Sequence, residues 1–401
     1  MDILMNRRLF VLFALVFFVL AAAGSHTIAE EPEEALQTEA LTEDNDLMEQ
    51  ADMLLKKMSL EEKAAQLFII TPEALTGMGV VTQAGETTRN ALETYPVGGL
   101  IYMEQNIESA SQLADMTASI QSFSTSLTGL PLFLCVDEEG GSVRRISGRI
   151  AGVPKIPDMW SVGRTGNPDI AYLVGSELGS YLSGLGINVD LAPVADVVAD
   201  PALSAIGDRS FGPDPLLTGM MAASCMRGIR DHGILAALKH FPGHGAVEED
   251  SHTSAVISEK TLEELESEDL IPFMTGIDAG ASLIMAGHIT FPNIADTDTP
   301  ASLSHFFLTR LLREKMGYEG LIITDALNMG AVTDLYEPAQ AAVMAVNAGA
   351  DLILMPQDFH MALQGVIDAV NSGTITEDRL DESVRRIIDA KLTLVKGGAK
   401  R

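Results

Sequence analysis

Eight short apolar runs punctuate the chain: QLFII (66–70), GGLIYM (98–103), LPLFLCV (130–136), INVDLAPV (187–194), ILAALKHF (234–241), SLIMAGHI (282–289), GLIITDA (320–326) and DLILMP (351–356). Most lack the polar alternation of a strand with one wet face. They read instead as parallel strands covered on both sides. Amphipathic stretches fall between them, for example 109–124, 169–186 and 261–280, and another at 377–394 closes the chain. Strand and helix alternate eight times. This predicts an α/β fold, a (β/α)8 TIM-type barrel with some irregularity, in one domain over residues 51–401. A doubly wound open sheet is the alternative, and the count of eight favours the barrel.

Composition narrows the function. Of 401 residues, 47% are hydrophobic and 20% charged, enough to build a large core. The formal charge of −30 repels phosphate backbones, so no nucleic-acid partner is expected. Arg7 and Arg8 precede an apolar run at 9–23, shorter than the roughly 20 residues a spanning helix needs. Residues 1–29 therefore read as a signal peptide, with cleavage points before Ser25 or Glu30. An uncleaved anchor is the alternative. No cysteine follows the run, so a lipoprotein anchor is not expected. The expected location is secreted or extracytoplasmic, without stable membrane insertion after cleavage. Residues 30–50 are acidic and poor in aromatics and read as a linker. Cys135 and Cys225 read as buried free thiols; export leaves a disulfide open.

Ionisable groups gather where the predicted strands end. Asp137, Glu138 and Glu139 follow the third run, Lys239 and His240 end the fifth, His288 the sixth and Asp325 the seventh. Barrel active sites lie at the carboxyl ends of the strands. Asp325 would suit a nucleophile or charge stabiliser on a rigid strand end, or else the N-cap of a helix. Arg144 and Arg145, after the glycines of VDEEGGSVRRI, could hold a sugar hydroxyl or an anion, or line a surface salt-bridge loop. Arg209 sits in a similar loop, IGDRSFG (206–212).

The densest segment is KHFPGHGAVEEDSH (239–252). A looped metal site is one reading, but Pro242, Gly243 and Gly245 break any helix that would pair His240 with His244. Proton transfer fits better. Asp250 and His252 are two apart, on one side of an extended segment, where the carboxylate can fix the imidazole tautomer and raise its basicity. A purely structural loop also stays open, and His244 is left without an assigned role other than holding the loop's shape.

KHFPGHGAVEEDSH followed by ITDALNMGAV resembles glycoside hydrolase family 3, in its β-N-acetylglucosaminidase (β-hexosaminidase) branch. VDEEGGSVRRI, IGDRSFG, AGHI and PASLS extend the resemblance from about residue 50 to the C-terminus, in the family's order. The resemblance implies retaining hydrolysis of terminal β-linked N-acetylhexosamine from peptidoglycan fragments or chito-oligosaccharides, without metal or organic cofactor. Asp325 matches the nucleophile, and His252, polarised by Asp250, the acid/base. Asp137, Arg145, Arg209, Lys239 and His240 match sugar-binding positions. A carbohydrate substrate and a monomer are expected. A neutral imidazole repels an incoming anion less than a carboxylate, so phosphate could take the place of water as acceptor. A different sugar specificity, or a sugar-binding protein without catalytic activity, also stays open. Ala326 stands where relatives commonly have an acid, which changes subsite contacts without removing a required group.

Overall fold

Each of the eight apolar runs contains a strand in the computed structural model, which describes residues 47–245, 256–294 and 299–399. The strands are β1 (Phe68–Ile70), β2 (Gly99–Ile101), β3 (Phe133–Val136), β4 (Val189–Asp190), β5 (Leu235–Phe241), β7 (Leu283–Ala286), β9 (Leu321–Thr324) and β10 (Ile353–Leu354). Two further short strands, β6 (Val256–Ile257) and β8 (Ile289–Thr290), pair beside them. The main sheet has the order β10-β1-β2-β3-β4-β5-β7-β9, and every neighbouring pair is parallel. Its ends meet. Ile323 bridges Leu352, and Thr324 N–H donates to the Leu352 carbonyl at 3.0 Å. The sheet is thus a barrel closed by a short seam, and the open sheet is set aside. The seam is short because β10 is only two residues long.

Local sequence explains the surrounding helices. Ser109 caps the helix Ala110–Thr128, accepting from Gln112 N–H, and Gly129 ends it at φ 75°. Pro168 and Pro215 open the helices Pro168–Gly184 and Pro215–Arg230, behind Asn167 and Asp214 caps. These two helices pack closely because Gly175 and Gly228 face the partner backbone. A Cβ on Gly175 would lie 2.0 Å from the Cys225 carbonyl oxygen. Cys225 is therefore buried in a helix interface and Cys135 in β3, both as free thiols.

Two boundaries differ from the sequence reading. The stretch 261–280 forms two helices, Leu262–Ser267 and Leu270–Asp278. Between them Asp269 is buried against the Lys260 ammonium, which the hydrophobic period alone does not reveal. A helix also spans residues 47–57, so helical structure begins inside the stretch read as linker. Ala51 is buried there, with Leu47, Leu54 and Leu55 packed beside it at helical spacing. The signal segment 1–29, linker residues 30–46, and Asp250 and His252 lie outside the described residues. Among the described residues no helix is long and apolar enough to cross a membrane.

Candidate active site

A cavity of about 300 Å³ opens where the strands end. Asp137, Arg145, Arg209, Lys239, His240 and Asp325 all line it, so six residues singled out from sequence converge on one site. The remaining lining is largely apolar, with Ile101, Met103, Met285, Leu354 and Met355, a surface suited to the C–H face of a sugar ring. A larger cleft of about 440 Å³ beside the helix Ala110–Thr128 has no Arg, Lys or His in its lining. Chemistry, not size, selects the first.

Asp325 follows β9 directly. Its N–H donates to the Ala286 carbonyl at 2.8 Å, and its Oδ1 accepts from Ala326 N–H at 2.8 Å. The next helix starts at Gly330 behind Met329, so Asp325 is not a helix cap. Burial alone would raise its pKa. His240, His288, the Ala326 N–H and Lys239 outweigh burial and hold the carboxyl below the ordinary range. The group is thus kept ionised.

Lys239 and His240 fall where the pairing of β5 with β7 shifts register, between Leu238 and Phe241. Neighbours on a regular strand face opposite ways, yet both line the cavity. Lys239 Nζ lies 2.6 Å from Glu139 Oε1 and 3.0 Å from Asp137 Oδ1. Arg209, in a short 3₁₀ turn after β4, grips Glu139 with Nε at 2.7 Å and Nη2 at 2.8 Å. Burial opposes the charge on Glu139, but Arg209 and Lys239 prevail and hold its pKa far below normal. The same carboxylates, Glu139 before Asp137, offset the burial of Lys239 and raise its pKa.

The loop after β3 is shaped by Glu138. Its carboxylate accepts from the backbone N–H groups of Arg145, Ile146 and Ser147 at 2.6–2.9 Å and from the Tyr181 hydroxyl at 2.8 Å. This sets Arg145 into the cavity, with Nη2 3.6 Å from Asp137. Arg144 is not part of the lining; its Nη1 donates to the Gly141 carbonyl. His288 is buried beside the site, with Nδ1 2.6 Å from Ser302 Oγ and Nε2 3.0 Å from the Ala326 carbonyl oxygen. His244 is buried as well. Its N–H donates to Asp196 Oδ1 at 2.7 Å, and its ring meets the edge of His240. Burial and then His240 lower its pKa.

Sequence reasoning missed Asp196 and Tyr181, and left Glu138 and Glu139 without roles. Asp196 had a signal: a lone acid inside the apolar run APVADVV (192–198) implies a buried carboxylate with partners. Among the described residues no group of three His, Cys, Asp or Glu side chains is arranged to hold a metal ion.

Comparison with known proteins agrees with this geometry. The profile of the glycosyl hydrolase family 3 N terminal domain matches residues 59–390. Beta-hexosaminidase A of Pseudoalteromonas piscicida is 32% identical over 332 residues, 77% of this chain and 55% of that relative. This chain therefore spans about half that relative's length. Beta-hexosaminidase of Nitrosomonas eutropha is 34% identical over 315 residues, 76% of this chain and 88% of that relative. A solved glycoside hydrolase family 3 beta-N-acetylglucosaminidase from Paenibacillus sp. str. FPU-7 has a TM-score of 0.78 at 34% identity, covering 84% of this chain and 63% of that one. With the family profile spanning nearly the whole barrel and the polar groups gathered at its mouth, the chain belongs to glycosyl hydrolase family 3.

Proposed function

We propose that the chain is a retaining exo-β-N-acetylhexosaminidase. The observation that carries this reading is the ionised Asp325 carboxylate on a rigid strand end, in one cavity with Lys239, Arg209, Arg145 and Asp137. The names of its relatives support the hexosamine preference.

In this reading Asp325 attacks the anomeric carbon while His252 protonates the leaving oxygen. A glycosyl ester on Asp325 results. His252, aligned by Asp250, then deprotonates water, which displaces Asp325 and restores the β configuration. Lys239, Arg209 and Arg145 donate to sugar hydroxyls, and Asp137 and His240 complete the polar wall. The substrate is a terminal, non-reducing N-acetylhexosamine of peptidoglycan fragments or chito-oligosaccharides. Export by the N-terminal segment would place the enzyme where such fragments arise.

The test is hydrolysis of 4-nitrophenyl N-acetyl-β-glucosaminide followed by proton NMR. The β-anomer should appear first, and Asp325→Ala should lose turnover by about 10⁴-fold or more while staying folded. First release of the α-anomer would exclude the double displacement. Sugar binding with no turnover would favour a binding protein.

A further inference from the structure

We propose that Asp196 is the positioning residue of this site: it fixes His240 in the tautomer with the proton on Nδ1, so that Nε2 presents a lone pair to a sugar hydroxyl. The kinetic part rests on the glycosidase reading above; the tautomer does not.

Asp196 lies after β4 with no exposed surface. Its carboxylate is cut off from bulk water and needs partners within the fold. The protein supplies donors instead. His240 Nδ1 is 2.7 Å from Oδ2, and His240 N–H lies 3.2 Å from each carboxylate oxygen. His244 N–H reaches Oδ1 at 2.7 Å. An ionised carboxylate only accepts, so the His240 Nδ1 must donate. Donors converging on both of its oxygens favour the ionised form of Asp196.

The far side of the ring gives the same answer independently. His240 Nε2 lies 3.3 Å from Arg209 Nη2. A guanidinium has no lone pair to offer, so this contact needs an accepting Nε2. Asp196 and Arg209 therefore impose one tautomer from opposite sides. The consequence is a specific polarity. Lys239, Arg145 and Arg209 bring donors to the cavity, and His240 Nε2 adds a neutral acceptor among them. A hydroxyl that takes the place of the Arg209 Nη2 donor can donate to Nε2 and accept from Arg209 Nη1, which has no partner among the described residues. A ligand lacking that hydroxyl leaves His240 paired with Arg209 and gains neither bond.

Asp196→Asn separates shape from polarity. The asparagine oxygen can still accept the backbone N–H groups, but its amide would face Nδ1 as a donor. The ring proton must then move to Nε2, where it opposes Arg209. The same Asp-to-Asn logic, a wrong tautomer with intact geometry, applies to serine-protease triads. Long-range ¹H–¹⁵N NMR of histidine-labelled protein reads the ring directly, with His240→Gln assigning the signal. Wild-type protein should carry the proton on Nδ1, and Asp196→Asn on Nε2. The variant should also raise KM for the aryl glycoside by about 10- to 100-fold, the effect of one or two charge-assisted hydrogen bonds, with kcat changed less. If the protein shows no turnover, calorimetric affinity for N-acetylglucosamine replaces KM. A wild-type ring protonated on Nε2 overturns the proposal whatever the activity, and needs no variant to fold. So does an inverted ring with KM or affinity within threefold of wild type. Absence of turnover with the expected tautomer and affinity loss would instead sink only the hydrolase reading.

Discussion

Two buried carboxylates in this barrel are clasped by cations, one at each end of the strands. At the mouth Glu139 meets Arg209 and Lys239. At the opposite end Asp351, just before β10, meets Arg313, Arg386 at 3.1 Å, Ser383 Oγ at 2.7 Å and Ile322 N–H at 3.0 Å. Their chemistry is alike and their surroundings are not. The Asp351 cluster ties the seam strands to the C-terminal helix Glu377–Ala399, and its donors are spent on protein oxygens. The Glu139 cluster lines a cavity, and its cations keep donors to spare. Arg209 Nη1 has no partner among the described residues, and Lys239 has three N–H donors for two carboxylates. An ion cluster becomes a binding site when its cations outnumber what the fold asks of them.

Removing each carboxylate should separate these roles, with the largest effects. Glu139→Gln and Asp351→Asn each strand buried cations, so each should cost about 3–5 kcal/mol of stability in denaturant unfolding. Glu139→Gln should also reduce kcat/KM by about 10³-fold or more, as misplaced Lys239 and Arg209 no longer present donors. The folded fraction of Asp351→Asn should keep kcat/KM within about threefold. Equal loss of activity in both would erase the distinction. Acid titration adds a sign. The folded Glu139 pKa lies below its unfolded value, so its contribution is present above about pH 4 and fades as the pH falls further. That part of the acid loss should be missing in Glu139→Gln.

Arginine-to-lysine changes probe the same contrast more gently. Arg209→Lys loses the two-point grip on Glu139 and the donor to His240, so KM should rise about 10- to 100-fold. Arg386→Lys at the other end leaves Asp351 with Arg313, Ser383 and Ile322. It should cost about 1 kcal/mol or less and leave KM unchanged. Parallel kinetics and thermal melts of the two variants decide the matter. A comparable KM rise in Arg386→Lys would mean that the far cluster also shapes the pocket.

How much of this could be read from sequence follows the range of the interactions. All eight barrel strands were legible, because a strand covered on both faces must be an apolar run wherever it occurs. Asp137, Lys239, His240 and Asp325 were legible because strand ends are points where polarity breaks such a run. The carboxylates that shape the site from behind were not. Glu138 and Glu139 are adjacent in sequence, yet one binds three backbone N–H groups and the other two cations. Only the neighbouring strands and loops distinguish them. Asp196 meets His240 from 44 residues away, and Asp269 breaks a regular helical period by pairing with Lys260. Such partners are set by the closed barrel, not by local pattern.

Lys391 has the smallest expected effect on activity and is the cleanest control, since it is a buried amine with no carboxylate partner among the described residues. It sits near the start of the strands, its Nζ 2.8 Å from Gln66 Oε1 and 5.2 Å from the centre of the Phe133 ring. Burial brings its pKa down to about 7, with Cys135 acting weakly the other way. The folded value thus lies below the unfolded value of about 10.4. Between those limits the unfolded chain binds a proton that the native protein lacks, so stability rises with pH, by at most about 1.4 kcal/mol per unit. Below about pH 7 both states are charged and the burial penalty is felt in full. Lys391→Met should remove this slope and leave kcat unchanged, because the side chain is remote from the mouth. It also orphans Gln66 Oε1, which offsets part of the gain at neutral pH. Urea melts at about pH 7 and about pH 9, inside the window where the slope acts, measure it. A slope that survives the substitution would place the titrating group elsewhere, whereas its loss with altered kcat would tie the two ends of the barrel together.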